Sequence, residues 1–322
     1  MHKTGKKRNR VMHASQAGFS LLETMVALAV LLGVGGIVMS GMTQMMKTQV
    51  TLGNRTEMHA NVRSATELLT QEIGQAGKVS FPAPVILSAA AAANATSITV
   101  NNATDIFGGE QLVLDGGSVE EWVTVNPNGV AGNSVSLTKN LVYAHNANVP
   151  VSVFGAFSSG IVPPSMTNGS TATILKLYGD INGDGNLVYI EYTCSQGTQA
   201  SPGFLYRNLM PYTQATKPAN DKTMILLSNV LQNPNDANNN PVACFTYQTQ
   251  TDAQGNTYIT DVAVTLTVQT QNIDPVTHQQ QQETKALLNV SPRNVFDAYQ
   301  NSTLGFTQRV QPMPPSVQAL LP

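Results

Sequence analysis

Hydrophobic positions form one continuous segment near the start of the chain and become periodic after it. No Asp, Glu, Lys or Arg occurs from 24 to 46, and about 20 apolar helical residues span a bilayer core. Beyond this run, apolar residues recur at steps of three and four, which predicts that the helix continues as an amphipathic element. The residues of that stripe are Val62, Ala65, Leu69, Ile73 and Ala76. Gly77 is a suitable terminator, so we predict one helix over 19–77.

A period of two residues follows and predicts β-strands. Residues 83–157 contain short alternating runs, which the turn sequences Asp-Gly-Gly and Pro-Asn-Gly divide. This pattern indicates a small all-β module. Its predicted strands are 97–101, 111–115, 119–125 and 135–138.

A second series of strands occupies 158–300 and precedes a C-terminal tail at 301–322. Its predicted strands are 173–178, 187–193, 203–208, 224–231, 243–249, 258–268 and 286–291. The alternation in "TDVAVTLTVQ" is expected of an antiparallel sheet with one face on the helix. The predicted fold is therefore α+β, with a long N-terminal helix packed on an antiparallel β-sheet and an additional small all-β module.

The distribution of charge indicates how such a chain is oriented. Charged residues make up only 11% of the sequence, against about 25% in typical soluble domains. Residues 1–18 hold five Lys and Arg residues and no acid, so the remainder carries −2 − 5 = −7. A basic run before an apolar segment stays cytoplasmic, which places the rest of the chain outside the inner membrane. The acidic body argues against nucleic acid as a partner.

The apolar segment itself has two interpretations. A cleaved signal peptide has an apolar region of about 7–15 residues. The uncharged run from 24 to 46 is longer, which favours a single membrane-spanning anchor.

The run "GFSLLETMVAL" resembles the class III signal of type IV pilins and pseudopilins. The resemblance implies a leader at 1–18, a transmembrane and assembly segment at 19–46, and cleavage by prepilin peptidase between Gly18 and Phe19. It also implies N-methylation of Phe19. The chain would first cross the inner membrane once, with a cytoplasmic N-terminus and a periplasmic C-terminal domain. It would then join a pilus at the cell surface.

Glu23 would be the fifth residue of the mature chain and the family's assembly acid. A carboxylate at the centre of a bilayer costs about 2.5–3.5 kcal/mol on insertion scales. Pairing with the amine of Phe19 on a neighbouring subunit would offset this cost and fix the axial register. Two alternatives remain open, namely a favourable position at the positive end of its own helix and contact with its own Phe19 amine at i, i+4 spacing.

Four further runs resemble PilW-like minor pilins and the J-type pseudopilins: "ATELLTQEIGQAG", "FLYRN", "LLSNVLQ…FTYQ" and "SPRNV". The resemblance implies a non-enzymatic subunit that joins other minor and major pilins, in the tip complex that initiates assembly. A J-type pseudopilin of a type II secretion system is one alternative. The run "SITV…GGEQLVLDGG…EEWVTV…NSVSLTKNLVYAHNANVPV" in the 83–157 module resembles β modules of phage tail proteins and of some large minor pilins, a resemblance that implies no ligand. Such a module would either bind a surface, which makes a membrane-anchored adhesin another alternative, or only add bulk at a tip.

Cys194 and Cys244 are the two cysteines of the chain. In an oxidising compartment, two cysteines on predicted neighbouring strands favour a disulfide. Two separate buried thiols are the alternative.

The run "DINGDGNLVYIE" at 180–191 fits a calcium-loop pattern, with Asp180, Asn182 and Asp184 as oxygen ligands. The residues after it are β-branched and aromatic, so we predict a strand there that carries Glu191 away from the loop. A hairpin turn rich in Asp, Asn and Gly is the simpler interpretation. We therefore predict no cofactor, with weak Ca²⁺ binding at most.

The sequence contains no recognisable catalytic motif. Its five histidines lack metal-ligand spacing, and it has neither a G-x-S-x-G run nor a P-loop. Acids such as Glu120 and Glu121 are expected to be solvated. The sequence therefore predicts no enzyme site.

Overall fold

The computed structural model describes residues 18–321, so the predicted leader lies outside the described residues except for Gly18. The first element is α1, Leu21–Gln75, a helix of 55 residues. It is the one helix among the described residues that is long and apolar enough to cross a membrane. The prediction of a helix over 19–77 is confirmed to within two residues at each end.

Helix α1 has a bare half and a packed half. Every residue from 18 to 50 is exposed, whereas the stripe that includes Val62, Leu69 and Ile73 is buried. The helix ends at Gln75, and Gly77, two residues later, has a φ of +82°. Its N–H donates to the Tyr178 carbonyl at 2.8 Å. The predicted stripe and terminator are therefore confirmed.

The all-β module follows α1 and is a closed six-stranded antiparallel barrel. Its strand order is β1-β6-β3-β4-β5-β2. A bridge between Leu87 and Val100 joins the two ends of this order, so the sheet closes on a core that includes Leu112, Val125 and Val135. The strands are β1 Val85–Ile86, β2 Ser97–Thr99, β3 Gln111–Leu114, β4 Glu121–Ala131, β5 Ser134–Leu137 and β6 Pro150–Val153.

Two details of the module differ from the sequence prediction. The Pro-Asn-Gly run does not form the turn, because Pro127–Gly129 lies within β4 as an irregularity between Val125 and Val130. The chain reverses at Gly132 instead, where φ is +57°. Strands β1 and β6 have no counterpart in the prediction, because Pro84 directly precedes β1 and Pro150 begins β6, and proline weakens a strand pattern.

The packed half of α1 lies on a seven-stranded antiparallel sheet. A short strand, β7 Ala156–Phe157, leads into it. The sheet runs in the order β12-β13-β11-β10-β9-β8, and β14 pairs with the other edge of β13. The strands are β8 Ile174–Gly179, β9 Val188–Ser195, β10 Gly203–Pro211, β11 Ile225–Leu231, β12 Phe245–Thr251, β13 Thr257–Gln269 and β14 Gln282–Val290. All seven predicted strands of this region are present.

The face of this sheet that lies away from α1 is also covered in part, which the alternating pattern did not predict. Tyr178 and Tyr189 point to that side, and both are fully buried. They pack with Val317, Leu320 and Leu321 from the end of the chain. The physical reason is that the residues predicted as a tail fold back. They form the end of α2 Arg293–Thr303, then β15 Val310–Gln311 and α3 Pro315–Leu320.

One buried glutamine connects the chain's end to the barrel. Gln311 on β15 is fully buried, and its amide Nε2 donates to the carbonyls of Gln111 and Phe154 at 2.9 and 2.8 Å. Its Oε1 accepts the Gln111 N–H at 2.9 Å. Strand β15 also pairs in parallel with β7. The C-terminal segment therefore joins the barrel and the seven-stranded sheet.

Candidate functional site

The bare half of α1 is the most unusual surface of the described chain. Its large apolar side chains are more than half exposed almost throughout, and Leu21, Leu22 and Ile37 exceed 70%. Its most apolar stretch of 18 residues contains no buried residue. Exposure of so large an apolar surface to water is unfavourable. Exposed apolar patches of this size therefore mark interfaces with proteins or membranes.

The predicted processing and assembly residues lie at the start of this helix. Gly18 and Phe19 precede α1, and both are exposed. Ser20 caps the helix, because its Oγ accepts the Glu23 backbone N–H at 3.2 Å. The local sequence Ser-x-x-Glu favours this cap. Glu23 therefore lies in the first turn with its side chain exposed.

This position suits either role considered for Glu23. An acid in the first turn interacts favourably with the positive end of the helix. Its exposed carboxylate is also available to a positive group on another molecule.

A buried ion pair fixes the packed half of α1 to the sheet. Glu72 of α1 is 3% exposed, and both of its oxygens accept from Arg207 Nε on β10 at 3.1 Å. Arg207 Nη2 and the Tyr192 hydroxyl donate to the same carboxylate. Burial alone lowers the pKa of Arg207, but its bonds to Glu72 outweigh this effect and raise it. The pair holds the helix at one rotation about its axis.

Glu72 and Arg207 each lie in a quoted motif, but their pairing was not predicted. They are 135 residues apart. No local periodicity reports a contact over that separation.

The predicted disulfide between Cys194 and Cys244 is present, with a Cα–Cα distance of 6.5 Å. Cys194 lies on β9, and Cys244 directly precedes β12. The sequence predicts that these strands are neighbours, but β10, β11 and β13 lie between them in the sheet. The sheet curls until its ends meet, and the Phe245 N–H donates to the Ala172 carbonyl at 3.0 Å. The disulfide joins the two ends of the sheet at the point where they meet.

The residues considered for calcium form the turn between β8 and β9. Gly183 and Gly185 have φ of +73° and +86°, which glycine adopts without strain. The Asp180 carboxylate is buried and already bonded, to Lys78 Nζ at 2.8 Å, Ser80 Oγ at 2.5 Å and the Gly185 N–H at 3.1 Å. Burial raises its pKa, but these donors outweigh burial and lower it. Asp180 therefore serves the turn itself.

The other members of the calcium pattern have separate surroundings. Asp184 accepts the Asn186 N–H at 2.9 Å. Glu191 lies in β9, as predicted, and accepts from Lys217 Nζ at 2.7 Å. Asn182 is exposed. The hairpin-turn interpretation of 180–185 is therefore supported.

Sequence reasoning missed a buried histidine in the barrel. The two ring nitrogens of His145 lie 3.3 Å from Asp115 Oδ2 and 3.3 Å from Glu121 Oε2. Glu121 is not solvated as expected, because it also accepts the N–H groups of Val142 and Tyr143 at 2.8 and 3.2 Å. Burial raises its pKa, but these bonds outweigh burial and lower it.

The carboxylates of Asp115 and Glu121 face different nitrogens of the His145 ring, so the three groups do not converge on one metal position. The arrangement holds the loop that carries Val142 and Tyr143. Within residues 18–321, no group of three or more His, Cys, Asp and Glu side chains is placed to hold a metal ion.

Comparisons of the chain with protein-family models, with curated proteins and with solved structures each find no match. The functional argument therefore depends on the residues and the geometry.

Proposed function

We propose that this chain is a PilW-like minor pilin, a membrane-anchored structural subunit that prepilin peptidase processes and that enters the type IV pilus. The supporting observation is the division of α1. About half of one continuous helix is apolar and bare, and the other half is locked to an antiparallel sheet. The subunit can therefore move from a membrane to a filament while its globular part stays folded. One half of the helix contacts the membrane or the filament, and different residues pack against the sheet.

In this proposal, the fold assigns separate tasks to the two halves of α1. The bare half anchors the subunit in the inner membrane and later packs among the helices of other pilins. Glu23 on an incoming subunit pairs with the amine of Phe19 on its neighbour, where two charges compensate each other. The Glu72–Arg207 pair and the disulfide keep the globular part rigid during the transfer.

The barrel supports a place at the filament tip, in the complex that initiates assembly. A closed six-stranded module adds bulk beyond the seven-stranded sheet, and a tip position leaves more room for that bulk than the filament wall. The barrel also favours a second candidate, a membrane-anchored adhesin. Val142 is 68% exposed and Tyr143 43% exposed, on a loop that Glu121 holds in place.

Processing tests the class of protein. Protein recovered from membranes of its own cells should begin at N-methylated Phe19, as measured by intact mass and N-terminal sequencing. Gly18→Leu should leave the full-length chain, and the matched Gly18→Ala variant should still be cut. A native chain that starts at Met1 would contradict the proposal.

Deletion of the gene tests whether the subunit belongs to a pilus, to a secretion system or to neither. Under our proposal, the deletion strain loses surface pili and regains them on complementation, while secretion of folded enzymes continues. Loss of secretion with normal pili would indicate a J-type pseudopilin. Normal pili and secretion with lost adhesion would indicate an adhesin.

A further inference from the structure

The hairpin loop between β13 and β14, residues 270–281, displays two apolar side chains. Ile273 is 61% exposed and Val276 is 59% exposed. Single exposed apolar residues are ordinary on protein surfaces. Their position in the fold and the construction of this loop decide whether the pair has a role.

The loop is built around a buried acid. Asp274, between the two apolar residues in sequence, is 2% exposed. Its Oδ1 accepts the N–H groups of Val276 and Thr277 at 2.7 and 3.1 Å, and its Oδ2 accepts from Gln281. This network fixes the backbone after Asp274, and before it the Thr270 hydroxyl donates to the Asn272 carbonyl at 2.9 Å. The loop therefore holds Ile273 and Val276 in solvent by a defined structure.

The same loop contacts α1 close to its bare half. Asn272 Nδ2 lies 3.4 Å from Asn54 Oδ1, and Arg55 Nε donates to Gln281. Both helix residues precede Met58, the first buried residue of α1. The Thr51 hydroxyl lies beside Asp274. The loop is therefore at the end of the globular part that faces the apolar segment.

The distance to the apolar segment is short. Thr51 follows Met46, the end of the uncharged run, by five residues, which is about 7–8 Å along a helix that rises about 1.5 Å per residue. The headgroup layer adds about 5–7 Å to each side of the hydrocarbon core. A helix that spans the membrane with 24–46 therefore brings this loop to the headgroups.

The charges on the part of α1 between the uncharged run and the loop fit the same surface. From 47 to 55 the charged residues of α1 are Lys47 and Arg55, both exposed. The one acid of the loop, Asp274, is buried. Anionic phospholipids attract exposed basic groups beside a membrane span.

We propose that Ile273 and Val276 insert into the interface of the membrane that α1 spans, so that loop 270–281 seats the globular part on the lipid before assembly. The occupant of this surface is phospholipid. The proposal rests on the membrane anchoring in the proposed function. It adds a second contact with the bilayer, which the subunit must release when it leaves for a filament.

The test uses the full chain reconstituted in vesicles of phosphatidylethanolamine and phosphatidylglycerol with brominated acyl chains. Trp122 is the one tryptophan, so Trp122→Phe provides a silent background. Ile273→Trp and Val276→Trp report on the loop. Leu31→Trp reports on the span. Val142→Trp and Leu304→Trp are controls, since the parent residues are 68% and 72% exposed.

The proposal predicts that the two loop tryptophans lose most of their intensity and shift to shorter wavelength, as Leu31→Trp does, while the two controls change little. Quenching of Leu31→Trp without quenching in the loop would overturn this inference and leave the membrane anchor standing. Absence of quenching at Leu31→Trp would overturn both.

A second measurement avoids tryptophan substitutions. A photoactivatable phospholipid should add mass to the tryptic peptide that contains 270–281 in the native chain, and much less in Ile273→Asp/Val276→Asp. Equal labelling of both chains would contradict the role of these side chains.

Discussion

Arg207 on β10 reaches across the core to Glu72 on α1 and donates from both Nε and Nη2 to its carboxylate. Removing one partner of a buried ion pair leaves an uncompensated charge and costs about 3–5 kcal/mol. Arg207→Met should therefore lower the free energy of unfolding by about that amount, as measured by chemical denaturation of the full chain in detergent.

Two controls make this prediction specific. Glu72→Leu/Arg207→Met should lose much less, because no charge remains buried. Arg63→Met removes an exposed i, i+4 pair with Glu67 and should change stability little, because water and salt screen an exposed pair. If Arg207→Met and Arg63→Met lower the free energy of unfolding equally, the buried pair contributes no more to stability than the exposed pair does.

The disulfide closes a sequence separation of 50 residues. Loop-closure entropy gives about 4 kcal/mol for such a bridge, so Cys194→Ala/Cys244→Ala should unfold at clearly lower denaturant concentration. Native material should migrate differently on gels with and without reductant. Labelling of both thiols in unreduced protein would contradict the bridge.

Asp252 makes stability depend on pH. Its carboxylate is 9% exposed and accepts from Ser302 Oγ at 2.6 Å, Asn256 Nδ2 at 2.8 Å and Tyr258 Oη at 2.7 Å. Burial raises its pKa, but these donors outweigh burial and lower it from 3.8 to about 2. The folded state therefore binds this proton more weakly than the unfolded state does.

The resulting stabilisation is complete above about pH 4 and is lost as pH falls towards about 2. A shift of this size corresponds to about 2 kcal/mol. Asp252→Asn should be less stable than the native chain near pH 7 by about that amount, and the difference should shrink near pH 2. Asp297→Asn, at an exposed position of α2, is the matched control. A difference that does not change with pH would contradict this account.

The 180–185 turn should form without metal. Calcium takes six to eight oxygen ligands, and the Asp180 carboxylate is already occupied by Lys78, Ser80 and Gly185. Titration calorimetry should find no site tighter than about 10⁻⁴ M. Asp180→Asn should lower the melting midpoint equally with and without Ca²⁺. Micromolar binding that this variant abolishes would show that the turn is a calcium site.

Glu23→Ala should separate processing from assembly. The variant should insert into the membrane and be cut after Gly18, because its helix keeps the Ser20 cap. In this variant the Phe19 amine of the neighbouring subunit has no partner, and an unpaired buried charge costs several kcal/mol. Incorporation into sheared pili should therefore fall by more than about tenfold. Quantitative immunoblotting of pili against membranes measures this ratio. Unchanged incorporation would favour the helix-dipole role.

The sequence predicted those parts of the fold that local periodicity reports. Leu69 and Ile73 belong to a stripe of period 3.6, and the strands of the large sheet follow a period of two. The cysteine pair was predictable because only one pairing exists. Each of these signals lies in neighbouring residues or in a count of two.

Contacts between distant parts of the chain left no such signal. Gln111 and Gln311 are 200 residues apart, and neither has a side chain that demands burial. Glu121 stands beside Glu120 like a solvated acid, and only the folded barrel brings the N–H of Val142 to it. Ile273 and Val276 are ordinary apolar residues until the fold places them beside the bare helix.

The C-terminal segment also sets an order for the chain's synthesis. The ribosome completes all six barrel strands, within 85–153, long before it reaches Gln311 or α3. Until then Gln111 lacks its amide partner, and Tyr178 and Tyr189 lack their cover. A nascent chain that stops short of α3 would expose aromatic surface to proteases and chaperones. Because α3 and Leu321 cover Tyr178 and Tyr189, proteases and chaperones that bind exposed aromatic surface would act on a chain that lacks them.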